Sequence, residues 1–168
     1  MIRELLLFQQ VFVDGKGYAG VASAAEVPKV EMLTREYIAG GMSGKVKIPS
    51  GQHGTLTASL TFQGLAPELY KSLSITVGSQ IPLTVKGSTQ DADGKTHSHT
   101  IKMRGYVTKL DEGEWKEGED VPLKLELDLW YYKREHDGVE LIEADPVNMI
   151  FRVNGVDQLA EHRANIGR

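Results

Sequence analysis

The chain has no cysteine among its 168 residues. That excludes disulfides, thiol nucleophiles and Cys-based zinc sites, and it fits a protein made in a reducing cytoplasm. It has no long apolar run: at the N-terminus only Leu5 to Phe8 is continuously apolar, and no small-residue cleavage site follows. Neither a secretory signal nor a transmembrane span is expected, so a protein acting outside the cell would leave by lysis. Positive charge is not in surplus either. Nineteen Lys and Arg stand against 23 Asp and Glu, a net charge of −4. Gripping phosphates needs a concentrated Lys/Arg surface, so any contact with DNA is expected to be non-adhesive.

What is present suits one folded unit. The apolar fraction of 40% and charged fraction of 25% are ordinary for a globular chain, and the length predicts a single domain over 1–168. Eighteen glycines with Thr-, Val- and Leu-rich runs predict a mainly β protein with many turns.

The first strand is expected over residues 5–13, turning at Asp14-Gly15 and resuming at Tyr18, and the next from Ala25 to Tyr37. Residues 38–54 (IAGGMSGKVKIPSGQHG) hold five glycines and one proline without sustained periodicity, and read as a long loop. Loops of that length inside a compact domain are usually functional or disordered. Met42, Val46 and Ile48 point to a loop that packs on something, such as another subunit.

Residues 55–63 alternate cleanly, with Thr55, Thr57, Ser59 and Thr61 on one face and Leu56, Ala58, Leu60 and Phe62 on the other. A short helix is expected from Pro67 to Leu73, with proline in its first turn. Strands follow at 80–90 and 97–110, joined by a turn at Asp91–Gly94. PLKLELDLWYYKRE predicts a strand of roughly 40 Å, well beyond the usual five or six residues. Its alternation places Leu123, Leu125, Leu127, Leu129 and Tyr131 on one face and Lys124, Glu126, Asp128, Trp130 and Tyr132 on the other. Strands are then expected at Val139–Ala144 and Val147–Val153, with Asp157 capping a short helix through Asn165, stopped by Gly167.

No catalytic constellation emerges. His97 and His99 point to one face of a strand as two metal ligands might, but the sequence shows no third ligand near them, so no metal and no cofactor are expected. Asp91-Ala92-Asp93-Gly94 lacks the later ligands of a calcium loop. The run 111–120 (DEGEWKEGED) carries six carboxylates but no apolar surroundings to hold one protonated, and reads as a solvated loop. Glycines at 15–20 and 40–45 match no phosphate-loop spacing.

Three segments resemble the tail tube family of contractile-tailed phages and R-type pyocins: REYIAGGMSGKVKI (35–48), MRG at 103–105 through GEWKEGEDVPLKLELDLWYYK (113–133), and DGVELIEADPVNMIFRVNGVDQLAEHRANIG (137–167). They lie in the expected order; residues 50–100 are only generally similar, and Pro146 stands where a strand-compatible residue is expected. The resemblance implies a β-sandwich or barrel protomer of tail-tube type with a short flanking helix. Its long strands would join those of neighbours in an intermolecular β-barrel, in hexameric rings stacked into a tube.

Implied partners are the chain itself, the tail sheath protein, the tape-measure protein, baseplate and tail terminator proteins, and DNA in transit. The implied place is a virion tail or bacteriocin particle assembled in the host cytoplasm. On this reading the 38–54 loop, through Tyr37, Ala39, Gly40, Gly41, Met42, Ser43, Val46 and Ile48, clamps a neighbouring subunit. Thr55, Thr57, Ser59, Thr61, Lys124, Glu126 and Asp128 are candidates for the lumen wall. Other readings are a tube of a related secretion system, a single-chain ligand-binding β-barrel, and an enzyme built on His97, His99 and the acidic run.

Overall fold

The computed structural model describes residues 3–17, 22–64, 67–72 and 77–168. In chain order the strands are β1 (Leu5–Val13), β2 (Lys16–Gly17), β3 (Ala22–Glu26), β4 (Met32–Tyr37), β5 (Val46–His53), β6 (Leu56–Gln63), β7 (Ile81–Gln90), β8 (Thr96–Asp111), β9 (Pro122–His136), β10 (Val139–Asp145), β11 (Ile150–Val153) and β12 (Val156–Asp157). Two short helices complete them, α1 (Pro67–Ser72) and α2 (Ala160–Asn165). The protein is mainly β, as composition and alternation predict.

Among the described residues, ten strands join in one antiparallel sheet, and β4 and β5 form a separate hairpin. β8 and β9 pair along most of their lengths. The far edge of β9 is divided: Pro122–Leu129 pairs with β6, and Tyr132–His136 pairs with β10. On the other side β7 joins β8, and β1 joins β7. β3 lies on the free edge of β6, and Gln9 Nε2 on β1 donates to the Ser23 carbonyl at 3.3 Å. The wall β3-β6-β9-β8-β7-β1 therefore curls back toward its own start.

The alternating strands explain the core. Leu60, Phe62, Leu123 and Leu125 are fully buried, and Val11, Val13, Leu83 and Leu127 join them. Each such side chain stabilises the fold by roughly 1.5–3 kcal/mol relative to an exposed one. Leu69 of α1 is also fully buried, which pins that helix to the core. Tyr18 and the Leu73 end of the expected helix lie outside the described residues.

Several local expectations change. The strand expected from Ala25 to Tyr37 is two strands, β3 and β4, separated by a stretch in which Pro28 is buried and has no N–H to donate to a ladder. The loop expected over 38–54 is mostly strand: β5 occupies Val46–His53 and pairs with β4, leaving 38–45 as the connection. Ser50, Gly51 and Gln52 are accommodated opposite one residue, with Gly51 at φ +77°.

The long strand is also not in one phase. Arg104 pairs with Tyr131 and Gly105 with Leu129, so Trp130 is an extra residue, a β-bulge. The alternation flips there, and Tyr132 is in the core at 2% exposure in place of Tyr131. Pro146 falls in the turn after β10, where Met149 N donates to its carbonyl at 3.3 Å, and β11 begins only at Ile150. Asp157 does not cap α2, whose N-cap position is Leu159; it is part of β12 and binds from outside, as described below.

Candidate functional site

The β4–β5 hairpin carries most of the residues expected to meet a neighbour. Its register pairs Tyr37 with Val46 and Arg35 with Ile48, which puts these four side chains on one face. Glu36 and Lys47 share the opposite face, and Lys45 Nζ reaches Glu36 Oε2 at 3.1 Å. Nearly every hairpin residue is exposed, including Met32, Leu33, Tyr37, Ile38, Val46 and Ile48. A lone two-stranded hairpin is marginal in water, and this one buries almost none of its apolar side chains within the described chain.

Ala39, Gly40, Gly41, Met42 and Ser43 form the hairpin tip. Met42 N donates to the Ala39 carbonyl at 3.2 Å, and Gly41 sits at φ +85°, as the third position of a type II turn requires. A side chain on Gly40 would meet no atom within 4 Å. The base of the hairpin is fastened to the body: Gly54 N donates to the Glu31 carbonyl at 2.8 Å, and the His53 ring lies 5.6 Å from that of Phe151. Beside that base Leu33, His53, Pro146, Ile150, Leu159 and Ile166 line a largely apolar groove of about 560 Å³.

The two runs of candidate lumen residues prove to be one surface. Thr57 pairs with Asp128, Ser59 with Glu126 and Thr61 with Lys124 across β6 and β9. Thr55 precedes β6 and is exposed. Lys109 Nζ lies 3.9 Å from Glu126, and Ser59 Oγ donates to Glu26 Oε2 at 3.1 Å. The face therefore mixes hydroxyls with charges of both signs around a shallow recess of about 340 Å³. No dense positive field arises from such a pattern.

The acidic run is not wholly solvated. Tyr70 on α1 donates its hydroxyl to Glu112, a bond that pushes the phenol up to about 12, and Trp115 Nε1 donates to the same carboxylate at 3.2 Å. Residues 113–120 are exposed, as expected.

His97 and His99 do have further candidate ligands nearby, which the sequence hid. His99 pairs across the ladder with His136, and Glu4 lies against both. Glu4 Oε2 is 3.0 Å from His99 Nε2, and Glu4 Oε1 is 3.1 Å from His136 Nε2. The Thr89 hydroxyl donates to Glu4 Oε2 at 2.6 Å; with help from the histidines, this holds the carboxyl down to about 2. His97 Nδ1 instead lies 2.7 Å from Asp137 Oδ2, which raises the imidazole and holds Asp137 down to about 2. Glu4 and His136 are 132 residues apart. Only the β8–β9 register, with β1 laid along β7, brings them together, and no local motif encodes it.

Comparison with known proteins places the chain among tube-forming proteins of phage tails. Residues 4–167 match the family model described as phage tail tube protein FII. The chain is 36% identical to the tail tube protein of Escherichia phage P2 over 170 residues, covering 99% of this chain and 98% of that protein. It is 31% identical to the major tail tube protein of Serratia phage KSP20 over 154 residues, covering 91% of this chain and 88% of the other. A match over nearly the whole length, with a β fold of the expected kind, makes this chain a member of the phage tail tube protein FII family, a structural subunit of a phage tail tube.

Proposed function

We propose that the chain, acting as one tube-building domain, forms the inner tube of a contractile tail or tail-like bacteriocin. Hexameric rings close laterally, stack axially, and enclose a channel for DNA passage or membrane puncture. A head-to-tail contact closes into a ring when its rotation closes, and a ring-on-ring contact continues without limit. The observation that carries this reading is the exposed hairpin, whose Tyr37, Val46 and Ile48 share a face with no partner in the described chain.

In this reading the hairpin tip, Ala39 to Ser43, is the clamp on the next subunit. The β6–β9 face, with Thr57, Ser59, Thr61, Lys124, Glu126 and Asp128, lines the lumen, and Thr55 lies at its margin. Mixed charge lets a phosphate backbone slide without being held. The sheath surrounds the tube, the tape-measure protein occupies it, and baseplate and terminator proteins close its ends, all assembled in the host cytoplasm before release in the virion. Both named relatives are phage proteins, which favours a virion tail over a secretion tube.

Electron microscopy of the concentrated purified protein tests the proposal. Rings or tubes with sixfold end views are the expected result. A persistent monomer at high concentration, or rings of another order, would overturn it.

A further inference from the structure

The residues Glu4, His99 and His136 have the chemistry and spacing of a metal site that no part of the tube reading requires. Two imidazoles and a carboxylate suit zinc and its first-row neighbours, whereas calcium and magnesium prefer all-oxygen sets. The three ligand atoms lie within 4.8 Å of one another. Glu4 Oε2 alone is 3.0 Å from His99 Nε2 and 3.3 Å from His136 Nε2. Around a tetrahedral ion with bonds of about 2.0–2.1 Å, neighbouring ligand atoms stand roughly 3.3 Å apart, close to these two separations.

Ring orientation favours this set over the neighbouring one. His99 and His136 meet edge to face, with centroids 4.6 Å apart and planes 66° apart, so lone pairs in the two ring planes can converge on one point. His97 and His136 are stacked, with planes only 21° apart, and their in-plane lone pairs run side by side. Asp137, the carboxylate of that second set, is already engaged by the Ser98 backbone N–H at 2.7 Å and by His97 at 2.7 Å. Glu4 Oε2, by contrast, lies within 3.3 Å of both imidazoles while accepting from the Thr89 hydroxyl.

The surroundings are built for a ligand. Thr89, 7% exposed, directs its hydroxyl onto Glu4 Oε2 and fixes the carboxylate, the outer-shell role that orients metal ligands. His99 Nδ1 is buried without a protein partner, and the residue also lines a cavity of about 260 Å³, large enough for water at the remote nitrogen.

We propose that Glu4, His99 and His136 bind one divalent first-row transition ion, of which zinc is the type, through one carboxylate oxygen and two Nε2 atoms, with water in the fourth position. The ion ties the chain just before β1 to β8 and β9, and so fixes the strand whose Leu5, Leu6, Leu7 and Phe8 are exposed.

Cobalt(II) titration of the untagged full-length chain, followed by its visible absorption and reversed by zinc, reads the site directly. The expected result is saturation at one ion per chain. E4Q, H99Q and H136Q are each expected to weaken binding roughly tenfold or more, T89V to weaken it by a similar factor, and H97Q to leave it nearly unchanged. Zinc should also raise the melting temperature of the unaltered chain, and chelator should reverse the rise, a readout independent of variant folding. Absence of saturable binding, binding that survives H99Q and H136Q together, or binding abolished by H97Q would overturn the assignment.

Discussion

Gly105 on β8 lies so close to Asp128 on β9 that a Cβ placed there would fall 2.1 Å from the Asp128 carbonyl oxygen and 2.8 Å from Leu129 Cα. Both are backbone atoms, so no rotamer change relieves the clash. The close approach sits beside the bulge at Trp130, where the long strand changes phase.

Gly105→Ala should therefore force the two longest strands apart and destabilise the protein by about 1–3 kcal/mol or more. Urea unfolding checks this: the midpoint should fall while the slope stays constant. An unchanged midpoint would mean that the bulge moves freely, contrary to the packing around Tyr132.

Gly40→Trp should do the reverse. Nothing lies within 4 Å of that position, so monomer stability should change by no more than about 0.5 kcal/mol. Tube formation, read by sedimentation and electron microscopy, should be lost if the hairpin tip inserts against a neighbour. Normal tubes from this variant would put the clamp elsewhere.

The chain contains no cysteine, so one introduced thiol reports on one place. Thr57→Cys should react with a small maleimide in both monomers and tubes. A bulky polymer maleimide should label the monomer only, because the exposed Thr57 face is proposed to turn into the lumen. Equal labelling of tubes by the bulky reagent would place β6 and β9 outside. Loss of both reactions would place them in a subunit contact.

The C-terminal segment should weaken in acid. Arg163 Nη2 donates to Asp157 Oδ2 at 2.5 Å and the Leu159 N–H to Oδ1 at 3.0 Å, and these bonds lower the Asp157 carboxyl below its ordinary value of 3.8. A carboxyl lowered on folding stabilises the native state fully above its unfolded pKa, and that contribution is lost as pH falls through the folded one. The urea midpoint of Asp157→Asn should therefore lie below that of the unaltered protein by a constant amount from neutral pH to about 5. The gap should close below about 4. A gap that persists at the lowest pH would mean that the carboxylate charge is not what holds Arg163.

Strands with one buried face were legible in the sequence because burial imposes a period of two. β6 and β9 read correctly from Leu56 to Leu129 for that reason, and their register then merged two separate runs of polar residues into one face. The β4–β5 hairpin was not legible. Both its faces are exposed, so no burial pattern was imposed on Val46–His53, and Pro49 and Gly51 resemble loop punctuation. Trp130-Tyr131-Tyr132 hid the phase change because three aromatics satisfy either face. The histidine cluster escaped notice since Glu4, His99 and His136 belong to three strand regions distant in sequence, and adjacency across a ladder leaves no trace in spacing.

β2 pairs only with Phe12 and Val13 of β1, so among the described residues Leu5 to Val11 have no ladder partner on that side. The β4–β5 hairpin likewise has no further strand beside it among the described residues. Such rows of N–H and C=O groups are ready templates for pairing with another chain. A newly made subunit therefore carries its own hazard, and the timing with which copies meet decides between orderly growth and tangled precipitate.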